Sequence, residues 1–150
     1  MILVFALLFS SCGKGSGTGG FSRRGKYSVT ETETGVCFSA ALDGKLTDIT
    51  FTAPETIIGL SAKSNDGVIY RVCYAGLEIN CGGAAVAAAA DFSAALTALE
   101  EAGIKKDGCI SARPDGISVR GEFLDGKLCA VEFSNGECTR KYKVKTEAVG

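Results

Sequence analysis

The 150-residue sequence has no histidine, no tryptophan, two prolines and one methionine. Without histidine the chain lacks the side chain that titrates near neutrality, the usual general base and the commonest nitrogen ligand of metals. A serine or cysteine nucleophile would need a lysine or aspartate partner instead, and no motif marks one. The chain is therefore read as a non-enzyme. Seven cysteines are present, yet no CxxC pair stands among them, which removes the spacing of zinc ribbons and thioredoxin-like sites. No metal and no cofactor is expected. A net charge of −1 gives no electrostatic reason to expect nucleic acid.

What is present begins at the N-terminus, where residues 1–12 read MILVFALLFSSC. An apolar run ending in two serines and a cysteine, followed by Gly13, resembles a lipobox, in which small residues precede a cysteine that is acylated and becomes the new N-terminus. The run is too short to cross a bilayer and fits the apolar region of a signal peptide. It departs from that pattern in having no preceding Lys or Arg, and in Phe9 where leucine is commoner. On this reading Cys12 carries a lipid that holds the chain on the extracytoplasmic face of the cell membrane.

Residues 13–26, GKGSGTGGFSRRGK, are mostly glycine and serine and read as a flexible tether with a reach of roughly 20 Å. The segment fails the phosphate-loop pattern, because no strand precedes it and the glycine spacing is wrong. Arg23, Arg24 and Lys26 could lie against anionic head groups.

From Tyr27 to the end one domain is expected, punctuated by Asp43-Gly44, Asp66-Gly67, Asp115-Gly116, Asp125-Gly126 and Asn135-Gly136. Such dipeptides tolerate the positive φ of tight hairpin turns. Each turn implies a register that can be tested by whether it collects apolar side chains on one face. A two-residue turn at Asp43-Gly44 sets Phe38 opposite Ile49 and Val36 opposite Phe51. A three-residue loop at Asn65–Gly67 sets Ala62 opposite Tyr70, Leu60 opposite Val72 and Ile58 opposite Tyr74. A three-residue loop at Leu124–Gly126 pairs Val119 with Val131 and Ile117 with Phe133. A two-residue turn at Asn135-Gly136 places Phe133 against Cys138 and Cys129 against Tyr142. The opposite faces then carry Asp48, Arg71, Arg120, Glu122, Lys141, Lys143 and Lys145, a wet side facing away from a side that must be covered.

The cover is residues 84–102, AAVAAAADFSAALTALEEA, an alanine-rich helix with Val86, Ala89, Phe92, Leu96 and Leu99 as its apolar stripe and Gly103 as its stop. About five strands, one helix and about four strands make an α+β fold: a curved antiparallel sheet of about nine strands, a half-barrel, with one central helix on its concave face.

Several segments carry a resemblance. Lys45–Pro54 is a strand ending in proline, followed by Ile57-Ile58-Gly59-Leu60. Tyr70–Leu77 closes on a small turn before the helix, and Gly126–Val131 with Val144 supplies the last strands. Across roughly residues 27–146 this layout resembles the lipoprotein-carrier superfamily (LolA/LolB-like), and within it small clostridial-type lipoproteins. The resemblance implies an envelope location and a concave apolar cavity able to hold acyl chains, without catalysis. The chain is short for a periplasmic carrier and would stay anchored, so a ligand-holding or scaffold role at one membrane is expected rather than shuttling. The cavity candidates are Phe38, Phe51, Leu60, Tyr70, Val72, Phe92, Leu96, Val131 and Phe133, holding a lipid or other apolar ligand. If that face is packed solid, the alternative is an interaction module that docks a partner envelope protein.

The remaining clusters are read as structural. With Cys12 lipidated, six cysteines remain: Cys129 and Cys138 as small core residues, Cys37 and Cys73 on the wetter face, and Cys81 and Cys109 flanking the helix as a candidate disulfide. Glu31 and Glu33 alternate on a strand, where they are either solvated or placed to hold a cation. Lys141, Lys143 and Lys145 read as protection of an edge strand. Tyr70 and Tyr74 are placed on the core face.

Overall fold

The computed structural model describes residues 24–80, 83–102 and 108–148. The expected signal sequence with Cys12, the expected tether up to Arg23, and Cys81 lie outside the described residues. The chain forms β1 (Arg24–Glu31), β2 (Cys37–Asp43), β3 (Leu46–Ala53), β4 (Leu60–Asn65), β5 (Val68–Tyr74) and a two-residue β6 (Leu77–Glu78). Helix α1 (Gly83–Ala102) follows, then β7 (Gly108–Ala112), β8 (Ser118–Leu124), β9 (Lys127–Ser134) and β10 (Thr139–Thr146). All ten strands join one open antiparallel sheet in the order β6-β5-β4-β3-β2-β1-β10-β9-β8-β7. The expected α+β class is therefore observed, with one short strand more than the sequence suggested. Arg24–Lys26, assigned to the tether, are the first residues of β1 and pair with Ala41–Asp43.

The sheet curls, and contacts to the single helix show by how much. The β4–β5 turn reaches α1 so closely that a Cβ on Gly67 would stand 2.9 Å from Thr97 Oγ1 and 3.1 Å from Ala94 Cα. On β8, a Cβ on Gly121 would stand 2.8 Å from Leu99 Cδ1. Strands β5 and β8 are seven places apart in the sheet order, about 34 Å if the sheet were flat. A helix about 10–12 Å across touches both only if the sheet wraps around it.

Register follows a parity rule. A two-residue turn opposes residues whose numbers have an odd sum, so an even-numbered residue faces an odd-numbered one. In β2 the buried residues are Phe38, Ala40 and Leu42, and in β3 they are Thr47, Ile49 and Phe51, so a plain two-residue turn suffices. The turn is Gly44-Lys45, with Phe38 opposite Phe51 and Ala40 opposite Ile49, two residues along from the expected register. Gly44 alone takes the left-handed φ (61°), the pattern of a type II′ turn. Placing the turn there moves Lys45 off the buried face, where it would otherwise oppose Leu42.

The Asp66-Gly67 and Asp125-Gly126 hairpins need like parity, because Ala62 faces Val72 and Val119 faces Phe133. The sequence suggested three-residue loops. The molecule instead uses two-residue turns at Asp66-Gly67 and Asp125-Gly126, both residues of each at positive φ, and restores parity with a bulge at Tyr70 and at Cys129. The expected pairings Ala62–Tyr70 and Val119–Val131 are thus replaced by Ala62–Val72 and Val119–Phe133. The bulges also turn out the residues they contain: Tyr70 is 56% exposed, and Cys129 lies on the surface rather than in the core. The last hairpin closes through the four residues 135–138, pairing Phe133 with Arg140. Asn135 Oδ1 accepts hydrogen bonds from the backbone N–H of Glu137 and Cys138, so Cys138 belongs to an exposed turn and not to the core.

These slips of two leave the expected wet face in place, while Tyr70, Cys129 and Cys138, expected inward, are exposed. Asp48, Arg71, Arg120, Glu122, Lys141, Lys143 and Lys145 are exposed, and four exposed cross-strand or same-strand ion pairs link this face, such as Lys63–Asp48 at 3.1 Å. Lys141, Lys143 and Lys145 do not guard an edge, because β10 lies between β1 and β9 in the middle of the sheet.

On the concave side α1 buries Val86, Ala89, Phe92, Leu96 and Leu99, the stripe expected, together with Ala88, Ser93, Ala95 and Ala98. Alanine at four of these nine positions brings the helix axis close to the sheet, and each large side chain so buried stabilises by about 1.5–3 kcal/mol. Polar contacts fix the depth: Tyr142 donates to the carbonyl of Ala88 at 2.7 Å, Arg140 Nε to Asp91 Oδ2 at 2.7 Å, and Ser64 Oγ to Ser93 Oγ at 3.3 Å. Burial pushes the Tyr142 phenol far above its ordinary pKa, so it stays a hydrogen-bond donor at any physiological pH. The described core lies within residues 24–148.

Candidate functional site

The centre of the concave face is filled. Phe38, Phe51, Phe92, Leu96, Val131 and Phe133 are all buried, and Phe92 stacks edge-on against Phe38 (centroids 5.5 Å) and tilted against Tyr142 (5.2 Å). These six candidates for a cavity wall therefore pack against the helix and against each other, as aromatic clusters at such distances do. Val72 is half-buried against the core, and Tyr70 is turned outward by its bulge. Of the nine candidates, Leu60 lines an apolar opening on the concave side.

That opening is a pocket of about 400 Å³ at one end of the half-barrel, lined by Val36, Pro54, Ile57, Leu60, Ile79, Gly83, Ala84 and Ala85. Its shape follows from local sequence. Pro54 stops β3, and a one-turn 3-10 helix (Glu55–Ile57) carries the chain over the end of the sheet, presenting Ile57 inward. Helix α1 opens with Gly83-Ala84-Ala85, and only at Val86 does a larger side chain enter the core. The three small residues leave the space that a leucine there would occupy. No lining residue carries an ionisable side chain, and the volume falls in the range of small-molecule pockets.

Beside the pocket the apolar surface continues outward. Leu60 pairs with Tyr74, and Tyr74 with Leu77, so the three share a face. Tyr74 is 47% and Leu77 73% exposed, and Ile58 on the same rim is 55% exposed. The sequence placed Tyr74 on the core face; its register agrees, but it lies beyond the helix that covers that face. The rest of the pocket wall went unrecognised in the sequence, because Gly83, Ala84 and Ala85 show only what is missing.

Glu31 and Glu33 do not form a cation site. Glu31 is buried, and its carboxylate caps the β1–β2 turn by accepting from the backbone N–H and hydroxyl of Thr34 and from the N–H of Glu33 at 3.3 Å. Burial raises the pKa of this carboxyl, but the Thr34 and Glu33 hydrogen bonds and the Arg140 charge outweigh it and hold the group below its ordinary value. Glu33 is exposed. Among the described residues no group of three or more Cys, Asp or Glu is placed to hold a metal. Cys37, Cys73, Cys109, Cys129 and Cys138 are free thiols, and the expected pairing of Cys109 with Cys81 involves a residue outside the described ones. Cys37 and Cys73 share the outer face but stand on β2 and β5, three strands apart.

A second groove of about 300 Å³, on the outer face, runs over Ala130 between Arg120, Glu122, Glu132, Lys141 and Lys143. Its charges answer one another, Arg120 with Glu122 at 3.7 Å and Lys141 with Glu132 at 3.9 Å. Helix α1 is long and apolar enough to cross a membrane by length and composition, yet half of it is buried against the sheet as a core helix. No protein-family model, no curated protein and no solved structure matches this chain.

Proposed function

We propose that this chain is a membrane-anchored extracytoplasmic lipoprotein, lipidated on Cys12 and without enzymatic activity, that holds an apolar group in the pocket at the end of its half-barrel. The observation that carries the reading is the pocket: about 400 Å³, walled by side chains without charge and continuous with the exposed Tyr74 and Leu77. The lipobox-like run ending at Cys12 and the resemblance to LolA/LolB-like half-barrels support the envelope location and the apolar cargo. The cargo site differs from the one the resemblance implies, since the centre of the concave face is packed.

Native mass spectrometry of residues 21–150, purified without detergent, tests this reading. A reproducible bound mass of single-chain lipid size is expected, lost on Ala85→Leu, which fills the pocket, and kept on Leu77→Ser, which alters only the rim. A clean apo mass, with added lipid failing to bind, contradicts it.

One observation favours a second reading, a scaffold that docks a partner envelope protein: Ile58, Tyr74 and Leu77 make an exposed apolar rim beside a largely filled core. In that case Leu77→Ser would abolish crosslinking to a partner at the membrane and Ala85→Leu would not.

A further inference from the structure

Apart from Tyr70 at its bulge, the wet face carries polar or small side chains along its strands, with three exceptions at one end. The outward positions of β3 run Leu46, Asp48, Thr50, Thr52, those of β8 run Ser118, Arg120, Glu122, Leu124, and β5 opens outward at Val68. Leu46, Val68 and Leu124 are all exposed, and each adjoins a hairpin turn. Register places them at the same end of the sheet. Arg24–Asp43, Asp43–Leu46, Leu46–Asn65 and Asn65–Val68 are successive cross-strand pairs. Leu124 shares a groove of about 300 Å³ with Lys145 and Thr146, and Thr146 pairs with Tyr27 near the start of β1. This is also the end at which the chain enters the sheet, since β1 begins at Arg24. The residues between Cys12 and Arg24 span at most about 40 Å. The apolar pocket opens at the opposite end, where Pro54 follows β3 and Leu60 begins β4, about 26 Å away along an eight-residue strand.

From this we propose that Leu46, Val68 and Leu124 form the footing on which the domain rests against its own membrane, with the end pocket opening away from that membrane. This rests on the anchoring at Cys12 proposed above, and adds the docking surface and the orientation. Leu46 and Val68 stand two strands apart, about 10 Å. Leu124 lies five strands from Leu46 around the curl, so the three side chains frame the end of the half-barrel and enter the head-group layer together. Charges at this end nearly cancel. Lys45 is bound to Asp66 at 3.5 Å and Lys26 to Glu147 at 3.3 Å. Arg24, Lys127 and Lys145 stand at the same end as Asp43, Asp125 and the helix-terminal Glu100 and Glu101. The contact is therefore apolar and persists at high salt, where a charge-driven one would be screened. An anchor within 40 Å keeps the domain at an effective concentration on the order of mM over the lipid, so three aliphatic side chains suffice where a free domain would dissociate.

The chain has no tryptophan, so one introduced tryptophan at a time reports on each end. Leu124→Trp and Leu77→Trp, both at exposed sites, are made in the full chain, which is purified with its lipid and reconstituted in phosphatidylcholine vesicles with and without brominated acyl chains. Mass spectrometry of the N-terminal peptide establishes the lipid on Cys12. Brominated lipid is expected to quench the fluorescence of L124W and not that of L77W, at low and high salt alike, and added phosphatidylglycerol should change neither. Introducing L46S/V68S should weaken the quenching of L124W while leaving the far-ultraviolet circular dichroism of the chain unchanged. Quenching of L77W in place of L124W, equal quenching of both, quenching of neither, or quenching of L124W that L46S/V68S leaves unmoved would each overturn the orientation while the lipid on Cys12 keeps the anchoring intact. A Cys12 without lipid would overturn both.

Discussion

The pentapeptide Leu-Asp-Gly-Lys-Leu occurs twice, at Leu42–Leu46 and Leu124–Leu128, and folds in two different ways. In the first copy the turn is Gly44-Lys45, Leu42 is buried and Leu46 is 49% exposed. In the second the turn is Asp125-Gly126, Leu124 is 65% exposed and Leu128 is buried. Local chemistry is identical, so the choice is made by the strands on either side. The buried residues of β2 are even-numbered and those of β3 odd-numbered, which a plain two-residue turn satisfies. The buried residues of β8 and of distal β9 are both odd-numbered, which a two-residue turn alone cannot satisfy, and the bulge at Cys129 makes up the difference. The Asp66-Gly67 hairpin solves the same problem in the same way with Tyr70. Burial of a strand face, worth several kcal/mol, overrides turn preferences worth about one.

This contrast can be broken most severely at the bulge. Inserting one residue after Cys129 should put Val131 and Phe133 on the wet face and abolish cooperative thermal unfolding, whereas deleting Cys129, which removes the bulge and leaves Leu128, Val131 and Phe133 facing inward on a plain two-residue turn, should keep unfolding cooperative. Circular dichroism melts of the two variants distinguish these outcomes. The four leucines give the next largest effect and a crossed pattern. Leu42→Ala and Leu128→Ala should each cost about 2–5 kcal/mol, and Leu46→Ala and Leu124→Ala less than about 0.5 kcal/mol, in urea unfolding. The same loss at both leucines of one copy would refute the parity account.

The β1–β2 connection sharpens the contrast, because a buried side chain holds that turn. Glu31→Gln should cost about 1–3 kcal/mol at neutral pH by weakening the cap on Thr34. The folded-state pKa of Glu31 is depressed, so its contribution is complete above the unfolded value of about 4.3 and fades as pH falls below it. The stabilities of the unaltered chain and the variant should therefore converge in acid, and unfolding measured from pH 7 to pH 3 checks this. The smallest effect separates the two turn types. Asp125 sits at a φ of 52°, while Asp43 ends a strand opposite Leu46. Asp125→Ala should cost about 1 kcal/mol and Asp43→Ala almost nothing.

Which faces are buried was legible in the sequence except at Tyr70, Cys129 and Cys138, since period-two alternation sets the face and survives a slip of two but not a bulge or a longer turn. The helix was legible from its alanines and from Val86, Phe92, Leu96 and Leu99. The bulges were marked by a signal of their own: Ile69 and Val72, like Leu128 and Val131, are core-packed residues three apart in strands that otherwise alternate by two. The candidate site was far less legible. Large apolar residues such as Phe38, Phe92 and Phe133 suggested a cavity wall, but large residues fill space, and the pocket lies instead where Gly83, Ala84 and Ala85 leave it open. Lys141, Lys143 and Lys145 read as edge protection in the sequence because β10 is last in chain order. Its pairing with β1 closes the two halves of the sheet and puts it at the centre.

The central claim is that an apolar chain enters at the end of the half-barrel and not between helix and sheet. Methyl-resolved NMR of residues 21–150, titrated with a dodecyl-chain probe, addresses it directly. The account predicts shifts at Ile57, Leu60 and Ile79, with Leu99, Val119 and Val131 unmoved. Shifts centred on Leu99 and Val131, or none at any of these methyls at saturating probe, would contradict it.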